Sequence, residues 1–303
     1  MDGRDDSKNC IREGGVIMKI STEIASFAKY VGEEEAVRMV VKAGFDAFDF
    51  SMFDMAKYDW GNRCLIPSSH PLQSKEYLSF ARKLKKIALE NGIVCNQSHA
   101  PFPVYCDEIR GYLKRAIECT AEAGGTICII HPDNNKSPLE NAEMYLELLP
   151  FAKEHGVKIA TENMWNWNNE KQEAAPAACS DPESFLAHIR AVNDLYFVAC
   201  LDIGHAEMRG LHTSAPEMIR ALGSHLQALH IHDNDRHHDS HQLPFTMDIN
   251  FNAVIEALRE IGYAGYLTLE ADRHCEGSNA ETVFSKVQEM ADCAKKLERM
   301  FLE

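Results

Sequence analysis

The sequence predicts a single α/β domain folded as a (β/α)8 TIM barrel, and three observations predict it. Short apolar, β-branched runs alternate with long amphipathic stretches from one end of the chain to the other, the signature of βα units in a parallel sheet. About eight such runs can be counted, the number a closed barrel requires. Six stretches finish an apolar run with a metal-capable side chain: Asn96-Gln97-Ser98-His99, Ile129-Ile130-His131, Ala160-Thr161-Glu162-Asn163, Cys200-Leu201-Asp202-Ile203-Gly204-His205, Leu229-His230-Ile231-His232 and Leu267-Thr268-Leu269-Glu270. Ligand types placed at the end where each strand runs out are what a parallel barrel needs to gather a polar site at one mouth.

The elements follow in order. Residues 1–15 are polar, carry charges of both signs and lack the apolar core and cleavage site of a secretory signal, so they read as a flexible N-terminal extension to a barrel spanning 16–303. The first strand is expected at 16–21, followed by a helix at 34–42 that closes on Ala43-Gly44-Phe45. The second strand, 47–50, leads into a long loop, 51–74, and a helix at 75–90 that closes on Asn91-Gly92. The third strand, 93–97, runs to His99, and the helix at 107–123 ends on Gly124-Gly125. The fourth, 126–131, ends on His131-Pro132, and its helix, 139–155, ends before Gly156. Strand 157–161 reaches Glu162 and is followed by a chemically rich loop, 163–180, and a helix at 182–192. Strand 196–202 reaches Asp202, with a helix at 216–222; strand 226–232 carries His230 and His232, with a loop at 233–250 and a helix at 251–261 before Gly262. Strand 266–270 ends on Glu270, and a helix at 280–301 closes the chain. A glycine after a helix can take the left-handed conformation that ends it, so the recurring glycines mark the bottom of the barrel. The long loops lie at the opposite mouth, where function belongs.

Bulk properties narrow the partners. The 303 residues exceed the ~250 typical of such a barrel without requiring a second domain, and no apolar run approaches the ~20 residues of a membrane span. Ten cysteines are scattered without a CxxC pair, and Cys95, Cys128 and Cys200 fall in expected buried strands, which points to a reducing, cytoplasmic setting and to a soluble protein. With 31 basic against 46 acidic residues the net charge is −15, a field that repels polyanions, so neither nucleic acid nor a membrane is an expected partner. Oligomeric state stays open, a homo-oligomer included, because an apolar helix face serves core and interface alike.

Glu162, Asp202, His232 and Glu270 come from the fifth to eighth expected strands, neighbours around the mouth. Together they form a carboxylate-rich ligand set, hard enough for Mn²⁺, Mg²⁺ or Co²⁺ and acceptable to Zn²⁺. His230 and His232, two apart, face the same side of a strand; His232, nearer the mouth, is the expected ligand, and His230 a core or supporting residue. Proline stops the chain soon after His99 and at once after His131, leaving both imidazoles at the rim as substrate contacts or additional metal ligands. Asp239-Ser240-His241 is a further ligand-capable pair in a histidine-rich loop. Phe53, Trp60, Phe102, Trp165 and Trp167 offer an apolar wall for a sugar's C–H face, and Arg236 or Lys171 a partner for a substrate phosphate.

These residues, in the order HAP, HP, EN, DxGH, HxHDND and LTLE with Asp-Ser-His between the last two, resemble the xylose-isomerase-like barrel superfamily over roughly residues 20–270. The resemblance implies that Glu162, Asp202, His232 and Glu270 are shared metal ligands, that Glu162 and Glu270 double as acid and base, and that His205 contacts substrate. His99, His131, Asp239 and His241 match additional ligands of the superfamily's trinuclear nuclease branch. The sequence departs at residues 243–248, where bulky Phe245 and Met247 stand in place of glycines. The implied activity is a metal-dependent isomerase or epimerase of a sugar or polyol, phosphorylated or not, acting by proton transfer through a metal-stabilised cis-enediolate, with manganese the favoured ion. Two alternatives share the same parts: a dehydratase of a keto-inositol-like substrate, and an apurinic-endonuclease-like phosphodiesterase.

Overall fold

The computed structural model describes residues 18–106 and 108–303. The expected extension at 1–15 and the first two residues of the expected first strand lie outside the described residues. Eight parallel strands form one sheet: β1 Lys19–Glu23, β2 Ala47–Ser51, β3 Val94–His99, β4 Ile127–Ile129, β5 Lys158–Glu162, β6 Phe197–Asp202, β7 Leu226–His230 and β8 Tyr266–Leu269. They are ordered as in the chain, and β1 pairs with both β2 and β8. The ring closes between β7 and β8 through Ile231, whose N–H donates to Thr268 O (2.9 Å) and whose carbonyl accepts from Glu270 N–H (3.0 Å). The architecture is the TIM barrel that the sequence predicts.

The long helices cover the outside because they present an apolar stripe to the sheet. The helices are α1 Ala25–Val31, α2 Glu33–Ala43, α3 Tyr77–Glu90, α4 Ile109–Ala123, α5 Pro138–Glu154, α6 Pro182–Val192, α7 Ile203–Ala206, α8 Ala215–Leu222, α9 Phe251–Glu260 and α10 Val283–Leu302. The four-residue α7 is instead buried at the mouth. Ser137 and Glu140 form a capping box at the start of α5, and Asp181 accepts the Ser184 N–H at the start of α6. Gly44 and Gly124 close α2 and α4 at φ +92° and +89°, in the left-handed conformation expected of them. Four features go beyond the sequence reading: the extra helices α1 and α7, and two antiparallel hairpins inside the long loops, Lys57–Asp59 with Cys64–Ile66 and Trp165–Asn168 with Glu173–Pro176.

The barrel interior is chemically divided. Ile129, Ala160, Val198, Cys200 and Ala228 pack as one apolar cluster on the β4–β7 side. On the other side a polar network crosses the lumen: Ser21 Oγ donates to Asn96 Oδ1 (2.6 Å), Asn96 Nδ2 to Thr268 Oγ1 (3.1 Å), and Gln97 Nε2 to Asp49 Oδ2 (2.8 Å) and to Leu229 O (3.2 Å). Burial without partners would make these groups costly; with partners they fix the floor beneath the mouth. Among the described residues no helix is long and apolar enough to cross a membrane, and seven of the nine described cysteines, all free, are buried.

Candidate active site

Period-two alternation points Ser21 and Glu23, Asp49 and Ser51, Gln97 and His99, and Ala160 and Glu162 inward, so the upper member of each pair reaches the mouth. There Glu23, His99 and Glu162 line a cavity of about 610 Å³ with His131, Trp165, His205, Asp239, His241 and Glu270. Phe53 and Phe102 form its aromatic side.

Donor atoms of Glu162, Asp202, His230 and Glu270 all lie within 4.8 Å of one another. One position differs from the sequence expectation: His230 is grouped with the three carboxylates, whereas His232 groups with His205, Asp239 and His241. Register is the reason, because Asp202 pairs across to His230, so two residues further on His232 stands one layer higher. Its ring packs face to face on His241 at 3.8 Å, and a Cβ on Gly204 would overlap it, which explains the glycine in the Asp-x-Gly-His turn. His99, His131 and Glu162 make a third group.

The imidazoles are aimed by their second nitrogen, as is usual for metal-binding histidines. Nδ1 donates to a backbone carbonyl in His99 (Ala100, 2.8 Å), His205 (Asn163, 2.9 Å) and His241 (Glu270, 2.9 Å), leaving Nε2 turned to the cavity. His230 does the reverse. Its Nε2 donates to Asp49 Oδ2 at 3.1 Å, directing Nδ1 toward Glu162 Oε1 (2.8 Å) and Glu270 Oε2 (3.4 Å). Asn163 fixes the end of β6 from both sides, donating to Asp202 O (2.9 Å) and accepting from Asp202 N–H (2.8 Å).

Electrostatics fit a cation. Burial opposes charge on Glu162, yet the charge of His230 and the hydrogen bonds of His131 and His230 hold its carboxyl well below the usual range. Burial likewise opposes charge on Asp202, but His205 and His232 bring it down to about 2. Glu270 goes the other way, pushed up to about 7 by burial against the pull of His230 and His241. Burial and the neighbouring His99 hold His131 down at about 4, which keeps it a neutral ligand or hydrogen-bond partner. Buried polar atoms without a hydrogen-bond partner collect here: Asp49 Oδ1, Asp202 Oδ2, Asp239 Oδ1 and His232 Nε2, the last only 3.0 Å from Asp202 Oδ1 but outside hydrogen-bond geometry. Three carboxylates, one imidazole and orphaned acceptors are a donor set suited to a divalent ion.

The other expected contacts divide. His99, His131, His205 and Trp165 line the cavity, and Asp239 and His241 stand at its edge, an ion pair 3.2 Å apart but outside hydrogen-bond geometry. Arg236 is not brought to it; its guanidinium pairs with Glu207 at 2.7 Å. Trp167 packs on His237, and Phe245 packs onto Phe251 beneath Lys296 and is not part of the cavity lining. Asp49 and Glu23 were missed by the sequence reading, although an acid between two phenylalanines in Ala47–Ser51 is itself a signal of an inward polar residue.

Comparison with known proteins agrees with the barrel fold. An uncharacterised protein of Methanocaldococcus jannaschii is 29% identical over 173 residues, which cover 52% of this chain and 55% of that protein, so the chain spans about half the length of the curated relative it matches. Among solved structures, a D-tagatose 3-epimerase-like protein superposes with a TM-score of 0.67 at 21% identity, over 93% of this chain and 98% of its own. The 3-keto-D-glucoside 4-epimerase YcjR of E. coli gives 0.66 at 17%, over 93% and 99%, and the IolI protein with a bound zinc atom 0.66 at 18%, over 94% and 98%. The family described as xylose isomerase-like TIM barrel matches residues 37–293, and the chain belongs to it.

Proposed function

We propose that the protein is a divalent-metal-dependent isomerase or epimerase of a sugar or related polyol. The observation that carries this reading is the convergence of Glu162, Asp202, His230 and Glu270 on one point at the cavity floor. The donor chemistry favours Mn²⁺, with Mg²⁺, Co²⁺ and Zn²⁺ acceptable. When bound there, such an ion polarises a substrate carbonyl and stabilises the negative charge left when the adjacent C–H is deprotonated. Glu270, near neutrality in its acidity, is suited to carry the proton, and Glu162, held ionised by its histidines, to take or return it from another strand. His99, His131 and His205 offer imidazole nitrogens to substrate hydroxyls, and Trp165 an apolar face. The sugar epimerases among the superposed structures support the substrate class.

The test is turnover of D-fructose, D-tagatose and D-allulose in D2O, followed by NMR after chelation and after Mn²⁺ return. Deuterium entering the carbon beside the carbonyl, lost on chelation and restored by Mn²⁺, is the expected result across a panel widened to keto-inositols. Full turnover in excess chelator refutes the reading, and loss of a hydroxyl from a product identifies a dehydratase instead.

A second reading is favoured by one observation, the two flanking donor groups around His99 and His131 and around His205 and His241, which match the multi-ion demand of a phosphodiesterase. The net charge of −15 argues against it. Elemental analysis and cleavage of abasic duplex DNA at low salt separate the two.

A further inference from the structure

Beside the deep cavity lies a second cleft of about 260 Å³, and the two share Phe102, His131 and Met164. Its floor is aromatic. Trp60, in the turn that joins Lys57–Asp59 to Cys64–Ile66, is 62% exposed, and Tyr105 is 50% exposed. Exposure of this kind is unusual for a tryptophan held in a defined position. Asp59 accepts the N–H groups of Gly61 and Asn62, both at 2.9 Å, which fixes the hairpin turn. Tyr58 supports the platform from below, meeting the Trp60 ring at 5.1 Å and 78° and the Tyr105 ring at 5.7 Å and 89°. Phe102 continues the surface toward the deep cavity and stacks on His131 at 5.1 Å and 25°.

The facing wall is made of amides. Asn134 donates to Trp165 O (3.0 Å), and Asn166 donates to Asn135 Oδ1 and to Pro176 O, both at 3.2 Å. These bonds tie the wall to the second hairpin and set the amides before a ligand arrives. An apolar floor facing a row of fixed amide groups complements a pyranose or furanose ring, which has one C–H face and a rim of hydroxyls. An acyl chain offers no hydrogen-bond partner to such a wall.

We propose that this aromatic and amide cleft is a second sugar-ring subsite, so that the substrate is a glycoside or disaccharide whose reacting ring sits in the deep cavity and whose other ring stacks on Trp60 and Tyr105. The proposal rests on the reading of the deep cavity as a sugar site and extends it to the size of the substrate.

The test is binding of cellobiose, maltose, lactose and sucrose against glucose, fructose and galactose, measured by saturation-transfer NMR and calorimetry on the full chain. At least one disaccharide is expected to bind about tenfold tighter than either component, the worth of one aromatic stacking contact of about 1.4 kcal/mol. Trp60→Ala and Tyr105→Ala should each reduce that disaccharide to monosaccharide affinity and leave monosaccharide binding unchanged. Equal affinity for single and double rings across the panel overturns the proposal. So does an equal loss for both in Trp60→Ala, or light scattering that shows a dimer dissociated by Trp60→Ala, which would make the platform an interface between copies. The outcome is independent of the metal chemistry: chelation removes turnover in wild type and variant alike, whereas Trp60→Ala acts on the second ring alone.

Discussion

Replacing Asp49 by asparagine tests the ligand set without touching a ligand. Asp49 lies one layer below the mouth and is fully buried; its Oδ2 accepts from His230 Nε2 at 3.1 Å and from Gln97 Nε2 at 2.8 Å. The carboxylate therefore selects the tautomer that leaves His230 Nδ1 free to face Glu162 and Glu270, and it raises the basicity of that nitrogen. Asparagine preserves the volume and one acceptor but removes the charge. Loss of such a supporting carboxylate lowers metal affinity by about 10–100-fold, or about 1.4–2.7 kcal/mol. Calorimetric titration of chelator-treated protein with Mn²⁺ at fixed pH measures it, alongside His230→Ala and His232→Ala. The expected order of loss is His230→Ala greatest, Asp49→Asn intermediate and His232→Ala least. Unchanged affinity in both Asp49→Asn and His230→Ala, with loss in His232→Ala, would restore the sequence assignment and refute the geometric one.

Two further outcomes follow from buried groups. Burial raises Glu23 from 4.5 to about 7, aided by the charge of Asp272 and opposed by the Ser26 hydrogen bond. The folded state then keeps a proton the unfolded chain loses, so stability falls as pH rises from about 4.5 to 7 and stays reduced above, by about 3 kcal/mol. Glu23→Gln should remove that slope, seen as a melting temperature that gains on wild type between pH 5 and 8; parallel curves would refute the assignment. Gly204→Ala places a methyl group against the His232 ring and should destabilise the fold by about 1–3 kcal/mol, read by urea denaturation, with a neutral result refuting the close approach.

The barrel was legible in the sequence because its signals are local. The alternation of runs and the glycines at 44, 92, 124, 156 and 262, all at positive φ, locate the helices to within a few residues. The mouth was legible too, since an apolar run that stops on an acidic residue marks a strand end, as at Glu162 and Glu270. What escaped depends on relations between strands. His230 and His232 share a face, and period-two reasoning alone favours the outer one; the β6–β7 register instead sets the inner one beside Asp202. Asp49 and Glu23 escaped because their importance lies in what faces them across the lumen. Arg236 was expected at the substrate because it is a cation in a mouth loop, but Glu207 lies nearer to it than the cavity does.

The closure of the ring at Ile231 gives the site a mechanical role. Strands β1 and β8 pair over four residues, whereas β7 and β8 are joined at one bridge, with His230 on one side of that gap and Glu270 on the other. A cation held by both would act as a clasp across the weakest seam of the cylinder. Occupancy and integrity of the barrel are then thermodynamically linked, and every tenfold excess of ion over its dissociation constant tightens the seam by about 1.4 kcal/mol.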